Sequence, residues 1–414
     1  MRQCVYEVTL GEVALPHYMG AFWCRPWRGL MCEFSRGGRV MASLRLGLTV
    51  AVVAIIWRSP ALARDDPPSA AAVYMLLVEA TQQHDADAQV QLGWLYENGN
   101  GVPRDHAQAV KWYRKAAEQN LARAQCNLGW MYHEGRGVAR DDVEAVKWLR
   151  KSAEQNNPAG QNNLGWLYRE GSGVPQDDIE AVKWFRKAAK QNLALAQNNL
   201  GLMYRQGRGV PQDDREAMRW YRSAAEKNNV IAQNNLGWMY QEGRGVTQDF
   251  AEAAKWYGKA AEQGDADAQV ALGDMAQDDR EAVKWYRMAA EQNDALGQCN
   301  LAWMYEQGLG VPQDDFEAFK WYRKAAEQND VAAQRTLALM YGEGRGVPQD
   351  YAAAFTWVRK AAEQNDANAQ TVLGWMYCEG LAVPQVWPED DGKAVEWFRK
   401  AAEQNYAEAQ SSLG

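Results

Sequence analysis

A string close to Ala-Gln-x-x-Leu-Gly-x-x-Tyr recurs along this chain with its Gln at positions 89, 125, 161, 197, 233, 269, 298, 334, 370 and 410. The successive gaps are 36, 36, 36, 36, 36, 29, 36, 36 and 40 residues. A fixed period in this range marks stacked supersecondary units, none of which can bury its apolar face alone. Such arrays offer long surfaces to partners. The expectation therefore turns toward binding and away from catalysis.

One repeat, residues 161–196, shows the unit. Leu164, Gly165, Leu167 and Tyr168 follow Gln161 at helical spacing and predict an amphipathic helix, here helix A. Gly171-Ser172-Gly173 ends it, because glycine takes the left-handed conformation that closes helices. Pro175 follows and cannot continue it. Helix B starts at Asp177, with Glu180 three residues on in the pattern of a capping box. Ala181, Val182, Trp184, Phe185, Ala188 and Ala189 form its apolar face, and it fades at Gln191-Asn192. Each repeat thus reads as an antiparallel helix pair in an all-α array. Gly93, Gly129, Gly165, Gly201, Gly237 and Gly374 sit in mid-helix, where glycine costs roughly 1 kcal/mol against alanine. That repeated cost predicts close helix–helix approach, which Ala302 and Ala338 still permit. Trp recurs on both helices. The B column is complete (Trp112, Trp148, Trp184, Trp220, Trp256, Trp285, Trp321, Trp357, Trp397), whereas Leu202, Asp274 and Leu339 interrupt the A column.

The residues Ala-x-Ala-Gln-x-x-Leu-Gly-x-x-Tyr, then Gly-x-Gly-Val-x-x-Asp, then Ala-x-x-Trp-x-x-x-Ala-Ala-x-Gln, resemble the Sel1-like repeat, a relative of the tetratricopeptide repeat. Residues 195–228, LAQNNLGLMYRQGRGVPQDDREAMRWYRSAAEKN, carry the whole pattern, and the resemblance spans about 86–414. It implies a right-handed α-solenoid of about nine repeats plus a partial tenth, acting as an adaptor or scaffold in protein complexes. Bacterial proteins of this kind are often exported and tied to envelope signalling or host contact. The resemblance supplies no shared catalytic set, and no cofactor is expected.

Two repeats are irregular. The short one, 269–297, lacks seven residues, those that carry the Tyr and the Gly-x-Gly turn. It predicts a short helix A and a hinge or change of direction between repeats 1–5 and 7–9. The one at Gln370 gains four residues near 386–389 (Val386-Trp387-Pro388-Glu389), an expected exposed loop. The array is expected over 85–414, preceded by a linker or capping helix at 64–84. The last half-repeat either caps the array or marks a truncation.

Residues 41–63 read as a signal peptide. Leu46 to Trp57 is a 12-residue apolar core, and Ala61 and Ala63 satisfy the small-x-small rule, so cleavage is expected after Ala63. A spanning helix needs about 20 apolar residues, so no stable anchor is expected after cleavage. Residues 1–40, upstream of this pattern, read as a misassigned extension. The expected compartment is periplasmic or extracellular. Losing residues 1–63 removes 7 basic and 3 acidic residues from 45 and 53, leaving a net charge of −12. That excludes a nucleic-acid binder. Lys and Arg on helix B are interleaved with Glu, as on a solvated face. Of six cysteines, Cys126, Cys299 and Cys378 remain, in repeats too far apart to pair. This departs from exported relatives that look stapled within each repeat, and weakens the penicillin-recognising hydrolase reading attached to them.

The chemistry that would mark an enzyme is missing from the sequence. His17, His84, His106 and His133 have no metal-ligand spacing, and no Cys-x-x-Cys, G-x-S-x-G or P-loop occurs. Gly-Arg-Gly-Val at 135–138, 207–210, 243–246 and 344–347 is the turn between A and B, and the Asp-Asp pairs at 141–142, 177–178, 213–214 and 314–315 are helix caps. Two columns are candidates for partner binding. Asn127, Asn163, Asn199, Asn235 and Asn300 form a row that either grips an extended peptide backbone or bonds between repeats. Trp94, Trp130, Trp166, Trp238, Trp303 and Trp375 form another, suited to peptide side chains or sugar rings if exposed and to core packing if buried. The first expected partner is a protein or peptide, the alternative a glycan or murein fragment.

Overall fold

The computed structural model describes residues 69–380 and 391–413. The extension at 1–40, the signal peptide at 41–63 and the insertion near 386–389 lie outside the described residues. Among the described residues there are 20 α-helices and no strands. They form an α-solenoid of antiparallel pairs, each packed on the next.

Local chemistry explains the unit. In repeat 3, helix A runs Pro158–Glu170, with Pro at its first turn and the Asn157 side chain accepting from the Gly160 amide. Gly171, at φ 69°, closes it. Helix B runs Asp178–Lys190, and Asp177 Oδ1 accepts from the Glu180 amide at 2.9 Å. Only half of the expected capping box forms. The Asp177 amide is already taken by the Tyr168 carbonyl at 2.9 Å, and Glu180 turns to Lys183 at 2.5 Å. Helix B ends at Gln191-Asn192 as expected, and does so by a defined cap. Asn192 takes the left-handed conformation at φ 65°, and Asn120, Asn156, Asn228, Asn293, Asn329, Asn365 and Asn405 do the same.

The mid-helix glycines mark the contact expected of them. A Cβ on Gly201 would lie 2.8 Å from the Tyr221 ring, and one on Gly93 2.6 Å from Tyr113. Each aromatic ring of helix B thus crosses beneath helix A, and Ala302 and Ala338 are buried in the same column. The second glycine of the turn serves stacking. Gly173, Gly209 and Gly245, all at positive φ, lie against the backbone of Asp142, Asp178 and Asp214 in the preceding repeat, where no side chain fits.

In repeat 6, helix A is Ala266–Met275, 10 residues against the usual 13. The apolar core nevertheless continues through the place where a hinge is expected. Leu272 and Met275 pack toward Tyr257, and Val270 and Tyr286 toward Leu301 and Met304. A leading helix, Ala70–Gln82, covers repeat 1, with Ala80 packed among Ala88, Leu92 and Trp112. A short helix, Ala407–Leu413, covers the other end.

Candidate functional site

The frame of the array is a ladder of buried glutamines. Gln161 Nε2 donates to the Ala153 carbonyl at 3.2 Å, and its Oε1 accepts from Gln191 at 2.8 Å. The same pair of bonds joins Gln125 to Ala117 and Gln155, Gln233 to Ala225 and Gln263, and Gln334 to Ala326 and Gln364. One Gln therefore ties the preceding helix B to the end of its own. Sequence reasoning used this Gln only as a marker of the period. The signal that could have found its partner is the Ala-Ala-x-Gln that follows 30 residues later in regular repeats.

The polar face of helix B is also less idle than a solvated surface. Arg150, Arg186, Arg222 and Arg287 each donate to a Tyr hydroxyl of the next repeat at 2.6–2.9 Å. Lys151, Lys187, Lys259 and Lys324 lie over the B-column Trp rings at 3.8–4.3 Å. The turn arginines reach backward: Arg208 pairs with Asp178 at 2.8 Å and Arg345 with Glu306 at 2.7 Å. The second Asp of an Asp-Asp pair thus joins repeats at Asp178, and Asp214 lies 3.7 Å from Arg244, whereas Arg345 passes Asp315 for Glu306.

Against this frame stand the two candidate columns of the A-helix face. Trp94 is 48% exposed and Trp375 49%, while Trp130, Trp166, Trp238 and Trp303 are half-buried. Trp130 and Trp166 meet edge-on at 6.0 Å, and the His133 ring lies 5.0 Å from each. Arg205 stacks on Trp238 at 5.1 Å, and Trp375 meets Phe398 at 5.5 Å. His133 in turn bonds Asp142 at 2.6 Å. Burial works against the Asp142 charge, but Arg140 and His133 outweigh it and hold that carboxyl below its usual range.

The Asn column runs along the same helices. Asn199 donates to Asn162 at 2.9 Å and Asn235 to Asn198 at 3.1 Å, each across a repeat boundary. Asn163 donates to Cys126 Sγ at 3.7 Å. Asn199 is buried, and Asn127, Asn163, Asn235 and Asn300 are half-buried. Cys126, Cys299 and Cys378 form no disulfide with one another, and burial pushes the Cys126 thiol up to about 12.

A further row, which sequence reasoning missed, lies under the A helices. The hydroxyls of Tyr113, Tyr257 and Tyr322 donate to Glu97, Gln241 and Glu306, each 16 residues earlier, at 2.6–2.9 Å. In repeat 6, Tyr286 donates to Asp274 at 2.7 Å. Where helix B has Leu149 or Phe185 instead, the position 16 earlier holds His133 or Arg169. The pairing of Tyr with an acceptor at that spacing was readable in the sequence.

Among the described residues no cluster of His, Cys, Asp or Glu could hold a metal, and no helix is long and apolar enough to cross a membrane. The profile of the Sel1 repeat matches this chain nine times in succession, from 86–121 to 367–406. Among solved structures, the chain is similar to a protective antigen of uropathogenic Escherichia coli displaying an SLR fold. The two share 37% identity over 83% of this chain and 82% of that one, with a TM-score of 0.53. A Sel1 repeat protein from Oxalobacter formigenes shares 34% identity over 61% of this chain and 98% of its own, with a TM-score of 0.49. No curated protein matches the chain. Nine profile matches in tandem on a solenoid held together by the repeat's own Gln, Gly and Asp residues leave one conclusion: this chain belongs to the Sel1 repeat family.

Proposed function

We propose that this protein is a non-catalytic adaptor that holds a partner protein or peptide along its A-helix face. It acts outside the cytoplasm after cleavage behind Ala63, in envelope signalling or host contact. The observation that carries the reading is the contrast between the two helix faces. No B-column Trp is exposed, Trp112, Trp148 and Trp256 being 6–9% exposed and the other six half-buried, whereas Trp94 and Trp375 on the A face are about half open to solvent. An aromatic ring left open on an otherwise ordered helix suits a partner's side chain. The export part of the reading rests on the signal-peptide pattern at 41–63.

The test is a crosslinking capture from an envelope fraction with the full chain as bait, paired with Trp94→Ala/Trp375→Ala. A stoichiometric protein that the double variant loses is the expected result. Recovery of murein or glycan without protein, lost in the same variant, would move the reading to the glycan-binding alternative. Mass spectrometry of the exported chain should find Arg64 as its first residue; an intact Met41–Ala63 segment would remove the export part of the proposal.

A further inference from the structure

Repeat 4 breaks the pairing rule of the buried tyrosines. Tyr221 is fully buried, and its hydroxyl has no hydrogen-bond partner. Its ring lies against Gly201, where an added Cβ would meet it at 2.8 Å, just as those of Tyr113 and Tyr257 lie against Gly93 and Gly237. That shared path delivers the other hydroxyls to the residue 16 places earlier. For Tyr221 that residue is Arg205, which has donors only. Arg205 forms no ion pair among the described residues and is half-buried, stacked on Trp238 at 5.1 Å. Its column neighbours already have partners: Arg169 pairs with Glu170 at 2.6 Å and His133 is hydrogen-bonded to Asp142 at 2.6 Å. One place on the A-helix face thus combines an unanswered buried hydroxyl, an unpaired guanidinium and an aromatic ring. Repeats 1 and 7 fill the equivalent place with their own carboxylates, Glu97 and Glu306.

We propose that this place is an anchor for a carboxylate of a bound acidic peptide, which accepts from the Tyr221 hydroxyl and pairs with Arg205. The inference rests on the reading of the A-helix face as the partner surface and adds the chemistry of the partner. Burying an unmade hydrogen bond is costly, and a charge-assisted bond that answers it is among the stronger polar contacts. The competing arrangement is a water joining Tyr221 to Asp214 Oδ1, which is also buried and without a partner, while the other Asp214 oxygen lies 3.7 Å from Arg244.

The experiment selects a displayed pool of random 12-residue peptides on the full chain and on two variants. Arg205→Glu recreates the Tyr113–Glu97 pair, and Tyr221→Phe copies Phe185, which fills the equivalent place in repeat 3, so both have a folded precedent within the chain. The wild type should enrich peptides rich in Asp and Glu. For the best of them, Arg205→Glu should weaken binding by about 10- to 100-fold and Tyr221→Phe by about 5- to 10-fold. Amidating the peptide C-terminus separates a terminal from a side-chain carboxylate. Arg205→Glu should also raise the melting temperature, since Tyr221 then has its acceptor. Enriched peptides without acidic bias, or an acidic bias that both variants keep, as the water-bridged arrangement requires, would overturn the anchor while leaving the partner-surface reading standing. If no peptide is enriched at all, both fall.

Discussion

In repeats 2 to 5 the A helices start at the neutral residues Leu121, Asn157, Leu193 and Asn229, and carry Asn127, Asn163, Asn199 and Asn235 on their face. In repeats 6 to 9 the same helices start at Asp265, Asp294, Asp330 and Asp366, and the Asn row becomes Ala271, Asn300, Thr336 and Val372. The B helices show no such divide. Lysine lies over the B-column Trp in both halves, and the Gln ladder runs through both. Residues with a partner in every repeat are fixed by stacking. Residues facing outward from helix A answer to something else, and they differ between the halves. The array therefore offers two chemically distinct stretches of one surface on one frame.

Ways to break this comparison start with the frame. Trp256→Ala removes a ring that is 7% exposed and should cost about 3–5 kcal/mol, read by denaturant unfolding. A loss under about 1 kcal/mol would show that the B column is not core. Next, Gln161→Ala and Gln334→Ala each remove a hydrogen bond to the Ala153 or Ala326 carbonyl, which keeps its backbone partner Asn156 or Asn329, and one from Gln191 or Gln364 of the same repeat. Each should cost about 1–3 kcal/mol, and by about the same amount in both halves. Unequal losses would mean that the frame is not common to them.

The divide itself is sharpened by pH. Burial, with the Asp267 and Asp294 carboxylates nearby, lifts Asp265 to about 6 despite the capping bond from Ala268. Burial raises Asp294 and Asp330 as well. An unfolded Asp titrates near about 3.9, so the folded form holds the proton more tightly in this window. The stability tied to it is complete below the unfolded value and is lost as pH rises through about 6. Hydrogen exchange, corrected for its intrinsic rate, should show repeats 6 to 8 better protected at pH 5 than at pH 7. Repeats 3 to 5, with neutral caps, should change less, and Asp265→Asn should flatten the difference. Equal behaviour of the two halves would remove the electrostatic part of the comparison. The smallest effect is expected for Trp94→Ala, whose ring is 48% exposed; it should cost under about 1 kcal/mol in the same unfolding assay. A loss as large as that of Trp256→Ala would make the A column core.

The period, the helix pair, the Asp caps and the glycine turns were legible because each depends on residues close in sequence. Asp177 caps the amide three residues on, and Gly171 closes the helix it follows. What escaped needs pairs 16 or 30 residues apart, such as Tyr113 with Glu97 and Gln191 with Gln161. Local patterning does not bring these together; only the packing of helix A on helix B within the repeat does. The capping box failed for a related reason, since the Tyr168 carbonyl had taken the amide that Glu180 was expected to satisfy. The candidate columns were placed on their helices correctly, but their exposure was not readable. Trp94 and Trp130 occupy the same place in two repeats, and only Trp130 has His133 and Trp166 packed around it.

The most direct test of the account places a photo-crosslinking amino acid on each face of the chain in intact cells. Trp94 and Leu339, both exposed on the A face, would be replaced in turn, as would Lys147 and Lys320 on helix B. The account predicts a discrete protein adduct from positions 94 and 339 and none from 147 and 320. Adducts from the helix B positions alone would contradict it, because the partner would then sit on the face that every repeat shares.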